Sequence, residues 1–416
     1  MNYNVGVVCN ACGSWHRVRI QAGYLSKYPV QFYCGKCGSP IRGTIRHFPE
    51  KHIVRFELEV GAPATEKKFD PSGGTIPGAY LVECSGELLT NKMEFQPTGD
   101  LGTLVRSNPF FNAMFIFGPE KLSAYTREIV TALEFYSCSW PSRESAIRLL
   151  LGNRKVEAES VLGITLNEQS SIEAAHNLTK ESLPVLIDGE TLCRADAARR
   201  HVRALDRVQL SKMALFYEDH DLEIPLMTKS CMRLFSNFAR RFSSFIPGFT
   251  YLASEKGYDL SRYGSYLCCV EDLRGIYGDC FELLGDFSRI LIGMDNIACR
   301  GQYDLMAEDA PAKSFEKLLT GAPKGKILNQ AESGAYTSLI GKCCWNANLR
   351  NAFDHNSYDV ESKSQEIRII NNDGSIDHEQ DIYVVEMVCQ CIGMLRSLYV
   401  MEAVAVEVGG LTGATE

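Results

Sequence analysis

Two periods of hydrophobic residues divide this chain of 416 residues. Over residues 1–60, apolar and polar positions alternate in short runs such as 15–20 and 52–58, which predicts β-strands. A stretch rich in Gly, Pro and Lys follows, and it predicts a linker over 61–80. From about residue 120, apolar residues recur every three or four positions, the spacing of amphipathic helices.

The helical pattern predicts a mainly α protein. An Asn-Asp-Gly turn at 372–374 between two apolar runs predicts a β-hairpin inserted among the C-terminal helices. The residues from 409 onward predict a disordered tail. The predicted helices cover 121–136, 142–151, 154–162, 171–178, 196–217, 229–245, 267–284, 286–297, 334–353 and 381–406.

Composition narrows the class of protein. A hydrophobic fraction of 45% and a charged fraction of 23% are ordinary for a soluble globular chain. The sequence contains no run of about 18 apolar residues, so it predicts no membrane span. Its N-terminus lacks the pattern of a secretory signal peptide. Sixteen cysteines are many, and twelve of them are scattered, which favours reduced thiols in the cytoplasm over a disulfide framework.

The other four cysteines form two matched pairs. Cys9 and Cys12 are followed, after 21 residues, by Cys34 and Cys37, and each pair ends in glycine. Two such turns direct four thiolates at one ion, and this spacing is typical of tetrahedral zinc. The segment 1–60 therefore resembles a zinc ribbon, a small β module. Four thiolates leave no open position on the ion, so the predicted role of zinc is structural.

Charge is distributed unevenly along the chain. Residues 1–60 carry eight basic and three acidic side chains, which gives this segment a net charge of +5. Since the net charge of the chain is −8, the other residues together carry −13. Aromatic residues interleave with Arg17 and Arg19 in this segment, a composition that suits stacking on bases and contact with phosphates. We expect Arg17 and Arg19 to contact nucleic acid; docking to a partner protein is the alternative for the ribbon.

Near the C-terminus, the sequence Arg350-Asn351 is followed by His355 and Tyr358. The planar guanidinium of arginine binds phosphate through paired hydrogen bonds. Histidine accepts and donates protons near neutral pH. On a helix, Asn351 and His355 share one face at i, i+4, and Arg350 lies one position round from Asn351. These are parts that RNA cleavage without a metal requires, since the 2′-hydroxyl of RNA supplies the nucleophile.

This pattern resembles the R-x4-H signature of HEPN-domain proteins, in its R-N-x3-H form, with similar helix order over about 258–405. The resemblance implies an α-helical bundle that forms a homodimer, with an arginine and a histidine from each chain in one composite cleft. It implies Arg350, His355 and Asn351 as catalytic residues and Tyr358 as a substrate contact. Family members often add an acidic residue from an earlier helix; Glu282, Asp286 and Asp295 are candidates, and the choice stays open.

The sequence thus predicts a zinc ribbon at 1–60, a linker at 61–80, a mainly helical middle domain at 81–257, a HEPN-like domain at 258–408 and a tail at 409–416. The predicted function is a metal-independent endoribonuclease in antiphage defence or a toxin-like effector of abortive infection. Its predicted partners are RNA, a second copy of the chain, and a protein inhibitor or phage trigger. The alternative is a non-catalytic binding protein that dimerises through the same bundle.

Overall fold

The chain folds into two compact units, each built from three separate segments. The computed structural model describes residues 2–51, 53–67, 78–96, 109–167, 170–220, 224–308, 310, 312–330, 345–371, 373–376 and 378–412. Fourteen α-helices and thirteen short strands lie in these ranges, so the prediction of a mainly α protein with a small N-terminal β region is confirmed. Unit 1 comprises Met1–Leu133, Arg241–Gly275 and Asn348–Cys389, and unit 2 comprises Glu134–Arg240, Ile276–Ala347 and Gln390–Glu416.

Unit 1 holds all the strands of the described residues. A five-stranded sheet has the order β6-β1-β2-β7-β9, and all its pairs are antiparallel except β2 with β7. A second, antiparallel sheet has the order β3-β4-β5. The strands of these sheets are β1 Asn2–Cys9, β2 Trp15–Gln21, β3 Lys27–Tyr33, β4 Pro40–Phe48, β5 Ile53–Leu58, β6 Ala64–Lys67, β7 Ala79–Ser85 and β9 Glu94–Gln96.

The alternation of buried and exposed side chains explains why β3, β4 and β5 form a sheet with one apolar face. In β3 and β4 every second side chain is buried, and the register places Tyr28 opposite Ile45 and Phe32 opposite Ile41. Such opposed apolar pairs on one face are what stabilises a sheet. Phe56 of β5 completes this small core, where it is 1% exposed. The predicted strands at 15–20 and 52–58 are present as β2 and β5.

Unit 1 also holds two smaller sheets. β8 pairs with β10, and a three-stranded sheet has the order β11-β12-β13. The predicted turn at 372–374 follows β12 and is closed by a bridge between Ile370 and Ile376, with Asn372 outside the described residues. The remaining elements of this unit are β8 Thr90–Asn91, β10 Tyr263–Gly264, β11 Tyr358–Glu361, β12 Glu366–Ile369, β13 Ile382–Tyr383, α1 Pro109–Phe117, α9 Phe242–Ala253 and α13 Ala347–His355.

Unit 2 is helical over its described residues. Its core contains large side chains with almost no exposure, among them Trp140, Phe216 and Phe315, and the rings of Phe216 and Phe315 meet edge to face at 5.2 Å. The helices outside unit 1, with those that run through both units, are α2 Pro119–Cys138, α3 Trp140–Leu150, α4 Lys155–Leu162, α5 Ser171–Glu181, α6 Gly189–Arg203, α7 Arg207–Asp219, α8 Ile224–Arg240, α10 Val270–Arg300, α11 Phe315–Gly321, α12 Lys324–Gln330 and α14 Val384–Thr412.

Three helix predictions were wrong at their junctions. The single helix predicted over 229–245 is divided at Arg241, which follows α8 and precedes α9. The single helix predicted over 196–217 is two helices, because Asp206 forms a capping box with Gln209 that starts α7. The two helices predicted over 267–297 are one helix, α10. Lys324 lies against its middle and pairs with Glu282 at 2.7 Å and Asp286 at 2.9 Å, which supports the helix where a break was expected.

The predicted domain boundaries also differ from the structure. Within the predicted linker at 61–80, residues 64–67 form β6 and residue 79 begins β7, both in the sheet of β1 and β2; residues 68–77 lie outside the described ranges. The predicted domains 81–257 and 258–408 are each divided between the two units. The division arises because segments far apart in sequence pair with one another. In unit 1, for example, Asn91 of β8 lies opposite Tyr263 of β10 in an antiparallel pair.

The C-terminal helix extends further than predicted. α14 continues to residue 412, so 409–412 are helical rather than a disordered tail. By length and composition, Val384–Leu411 would cross a membrane, but 72% of its most apolar window is buried inside the fold. Such burial is typical of the core helix of a soluble protein.

We predict that Gly293→Ala in α10 destabilises unit 2. A Cβ atom at this position would overlap the ring of Phe216, which is itself fully buried and has little room to move. Overpacking of this kind costs about 1–3 kcal/mol of unfolding free energy, measurable by urea denaturation. Gly275→Ala in the same helix is the control, since nothing lies within 4 Å of its added Cβ, and alanine favours a helix over glycine. Equal stability of the two variants would contradict the packing described for Phe216.

Candidate metal centre and arginine–histidine site

The four cysteines predicted as ligands meet at one point in unit 1. Their sulfur atoms all lie within 4.8 Å of one another, with Cys9 Sγ 3.7 Å from Cys37 Sγ and Cys12 Sγ 3.5 Å from Cys34 Sγ. A disulfide needs about 2.05 Å, so these contacts are not disulfides. Sulfur atoms around a tetrahedral ion at about 2.3 Å are about 3.8 Å apart. The cluster is therefore compatible with a metal site.

The two cysteine-bearing loops have the same construction. Each starts at the end of a strand, where the carbonyl of Cys9 accepts a hydrogen bond from Gly13 N at 2.8 Å and that of Cys34 accepts one from Gly38 N at 2.9 Å. Both glycines have φ +72°. That left-handed backbone is strained for other residues, which explains why a glycine ends each pair.

Local hydrogen bonds divide the thiols into two kinds. The Sγ atoms of Cys12 and Cys37 each lie 3.3 Å from a serine hydroxyl, Ser14 and Ser39 respectively. The serine lowers the pKa of Cys12, and in Cys37 it lowers the pKa to about 6. Burial raises the pKa of Cys34 to about 12 and also raises that of Cys9. The serine hydrogen bonds thus favour the thiolate form of Cys12 and Cys37, whereas burial disfavours that form in Cys9 and Cys34. A bound cation would favour the thiolate form of all four.

A buried histidine supports the second loop. His16 Nε2 accepts a hydrogen bond from Gly35 N at 3.2 Å, and its ring stacks on Tyr80 at 5.4 Å. Burial lowers the pKa of His16 to about 4, so it is a neutral acceptor near neutral pH. A Cβ on Gly35 would overlap the ring of Tyr80. Sequence analysis gave no role to these residues, because β7, which carries Tyr80, is distant in sequence.

The arginine–histidine motif occupies the last turn and a half of α13, a surface helix of unit 1. Arg350 Nη2 lies 3.0 Å from Asp354 Oδ2, and Arg350 Nη1 donates to Asn351 Oδ1 at 3.1 Å. Asn351 and His355 are exposed at i, i+4, as predicted for a continuous helix. The imidazole of His355 makes no hydrogen bond or ion pair with the described part of the chain.

The helix ends directly after this histidine. Asn356 has φ +50°, a left-handed conformation that asparagine tolerates better than most residues, and Ser357 N donates to the carbonyl of Ala352 at 2.9 Å. The chain then turns into β11, which begins at Tyr358. This turn separates the motif from Tyr358.

Tyr358 lines a surface cavity of about 450 Å³. The cavity lies in unit 1 between β11 and the second cysteine loop, so Tyr33 and Gly38 line it too, together with Glu271 and Asn356. Arg350 and His355 are not part of its lining. The cavity therefore joins the ribbon to the segment after the motif, a proximity that sequence analysis missed.

Two side-chain networks shape this cavity. Tyr33 Oη donates to both carboxylate oxygens of Glu271, at 3.0 and 3.2 Å, and Cys269 Sγ donates to Glu271 Oε2 at 2.6 Å. Burial opposes ionisation of Glu271, but these hydrogen bonds outweigh it and lower its pKa. Arg274 donates to Asn356 Oδ1 and, at 3.3 Å, to Tyr358 Oη.

The charge of the lining limits what the cavity binds. Three carboxylates, Glu271, Asp359 and Glu361, are part of it, and no cation is among its lining residues in the described chain. Like charges repel phosphate at this range. The cavity suits an uncharged or cationic group better than the backbone of RNA.

The predicted nucleic-acid contacts Arg17 and Arg19 are placed differently from expectation. They are 9% and 4% exposed. Arg17 Nε donates to Asn4 Oδ1 at 3.0 Å, and Arg19 Nη1 forms a buried ion pair of 3.0 Å with Glu83 of β7. β2 is a central strand whose two edges pair with β1 and β7, and its side chains from His16 to Gln21 are buried on both faces. Neither guanidinium is presented to a ligand on the surface, so this prediction was wrong.

The three acidic candidates for the motif belong to unit 2. Glu282 and Asp286 are the partners of Lys324 already described, and Asp295 is 5% exposed within α10. One carboxylate that contacts the motif in the described chain is Asp354, four residues after Arg350. The signal for it was present in the sequence, since i, i+4 pairs of opposite charge are common on helices.

Comparison with known proteins adds no family to these observations. No protein-family model matches the chain, no curated protein is significantly similar to it, and no solved structure matches its fold.

Proposed function

We propose that this chain is a metal-independent endoribonuclease of the HEPN type, acting in antiphage defence or as a toxin-like effector. One observation carries the proposal. His355 is exposed at the end of a surface helix, without a partner in the described chain, on the same face as Asn351 and within the turns that hold Arg350. A histidine that only stabilises the fold is more often buried and hydrogen-bonded, as His16 is.

The chemistry assigned to these residues follows from their types. His355 removes the proton of a 2′-hydroxyl or protonates the 5′ leaving oxygen, both of which suit an imidazole. Arg350 stabilises the negative charge that develops on the phosphoryl oxygens. Asp354 and Asn351 hold the guanidinium at its present position.

A homodimer supplies what one chain lacks. Cleavage requires one proton to be removed and another to be donated, and α13 carries a single histidine. A second copy contributes its own His355 and Arg350 to the same cleft. Exposure of His355 and Asn351 leaves this face of α13 accessible to such a partner.

One observation favours a second candidate, a non-catalytic binding or regulatory protein. Arg350 is already paired with a carboxylate, and the cavity that Tyr358 lines contains three more. In that case α13 would serve dimerisation and the ribbon would dock a partner. Loss of the histidine would then leave function unchanged.

We further propose that the four-cysteine cluster holds a structural zinc ion. Four thiolates complete a tetrahedral shell, so the ion has no open position for substrate or water. Its contribution is to stabilise the ribbon, whose own apolar core is small.

The nuclease proposal predicts that His355→Ala and Arg350→Ala each lower cleavage of labelled RNA in EDTA. Removing a general acid or base slows a reaction by about 10²- to 10⁴-fold. Cleavage is measured by gel electrophoresis, with the EDTA level chosen so that elemental analysis shows no loss of bound metal.

His378→Ala is the matched control. This histidine is also exposed and in unit 1, and it pairs with Asp381 rather than with the motif. It should leave cleavage unchanged. Equal cleavage by all three variants and the wild type would indicate a contaminating nuclease and refute the assignment, and absence of cleavage in a folded wild-type dimer would favour the second candidate.

The zinc proposal predicts one zinc ion per chain, and its loss in Cys34→Ser. Because the ion links the two loops, this variant should also unfold at a lower temperature. Elemental analysis and thermal denaturation measure both effects. Cys84→Ser is the control, since Cys84 is equally buried in unit 1 but outside the cluster. Purified wild-type protein without stoichiometric zinc would refute the proposal.

A further inference from the structure

Unit 2 contains a basic groove that the proposed nuclease site does not use. Its volume is about 360 Å³, and it lies between α3 and α8. Four cationic side chains line it, together with Ser236 and Asn237; the cations are Arg148, Lys229, Arg233 and Arg240. No carboxylate is among its lining residues in the described chain. Every lining polar side chain is thus able to donate a hydrogen bond.

A buried carboxylate holds two of these arginines side by side. Glu144 Oε1 accepts hydrogen bonds from Arg148 of α3 and, at 2.8 Å, from Arg240 of α8. Its other oxygen accepts from Trp140 Nε1 at 3.1 Å. The side chain of Glu144 is 8% exposed, whereas both arginines are exposed. Glu144 therefore orients the two guanidinium groups without taking part in the surface of the groove.

The other two cations, Arg233 and Lys229, make weaker interactions with the described chain or none. Arg233 lies 3.7 Å from Asp279, an exposed pair of the kind that contributes little. Lys229 is exposed and forms no ion pair with the described residues. With Glu144 and Asp279 counted against the four cations, the groove retains a charge of about +2 on a chain whose net charge is −8.

We propose that this groove binds the phosphate backbone of a single-stranded nucleic acid. Lys229, Arg233 and Arg240 follow one another along α8 at i, i+4 and i+11, so the cations extend over about 16 Å of helix. A single phosphate group is much shorter than this row, whereas a strand carries phosphates in succession. The shared chemistry is a series of phosphate groups, and a free polyphosphate is the other source of it.

The inference is independent of RNA cleavage, because the groove and α13 belong to different units of the chain. Binding is measured by fluorescence anisotropy with a labelled 12-nucleotide single-stranded DNA, which has no 2′-hydroxyl to attack. An RNA of the same sequence is tested with the His355→Ala variant, which should not cleave it. The groove variant carries both Lys229→Ala and Arg233→Ala. The salt dependence of the dissociation constant is recorded for each protein.

The matched control is Arg207→Ala with Lys317→Ala. Both residues are exposed cations of unit 2 outside the groove, so this variant loses the same charge. Thermal denaturation verifies that both variants fold, and their side chains are exposed enough that we expect no change. Inorganic triphosphate is added as a competitor to separate a polymer from a free polyphosphate.

We expect the groove variant to bind either strand about 10-fold more weakly at 0.1 M salt, with the salt slope reduced by about 1.4, which is two contacts at about 0.7 each. The control variant should change affinity less than twofold. Equal losses in both variants would show that only overall charge matters and would overturn the proposal. No binding by the wild type would do the same, and displacement of the strand by micromolar triphosphate would overturn the choice of a polymer.

Discussion

The two cysteine loops bring the ends of four strands, β1 to β4, to one point. Cys9 and Cys12 come from the turn between β1 and β2, and Cys34 and Cys37 from the turn between β3 and β4. These strands belong to two different sheets, so the meeting of four sulfur atoms fixes one sheet against the other. A metal ion bound by these thiolates, as we propose, would couple the folding of this region to metal binding.

The rest of unit 1 is built onto that junction. β7 returns from outside the predicted ribbon to pair in parallel with β2, and it carries Tyr80 against His16 and Glu83 against Arg19. Tyr33, next to Cys34, reaches Glu271 and thereby forms one wall of the cavity beside Tyr358. The proposed structural ion would thus influence the surroundings of the motif without touching a substrate.

Basic residues illustrate how charge along a sequence differs from charge on a surface. The net charge of +5 over residues 1–60 suggested a surface for nucleic acid, yet two of its arginines, Arg17 and Arg19, lie inside the sheet. The basic groove that we identify lies in the acidic remainder of the chain. Arg148 of α3 is 81 or more residues from the three cations of α8, and Glu144 brings Arg148 and Arg240 together.

The sequence by itself determined the local features of this protein. Two C-x2-C pairs with glycine predicted the cysteine cluster, apolar periodicity predicted most helices, and the spacing of Asn351 and His355 predicted their shared face on α13. Each of these follows from interactions between residues close in the chain, or from ligand chemistry that a spacing reveals. The tertiary structure alone decided the two discontinuous units, the burial of Arg19 and the two surface cavities. The discontinuous units, the burial of Arg19 and the cavities depend on packing between segments far apart in sequence, which local periodicity does not record.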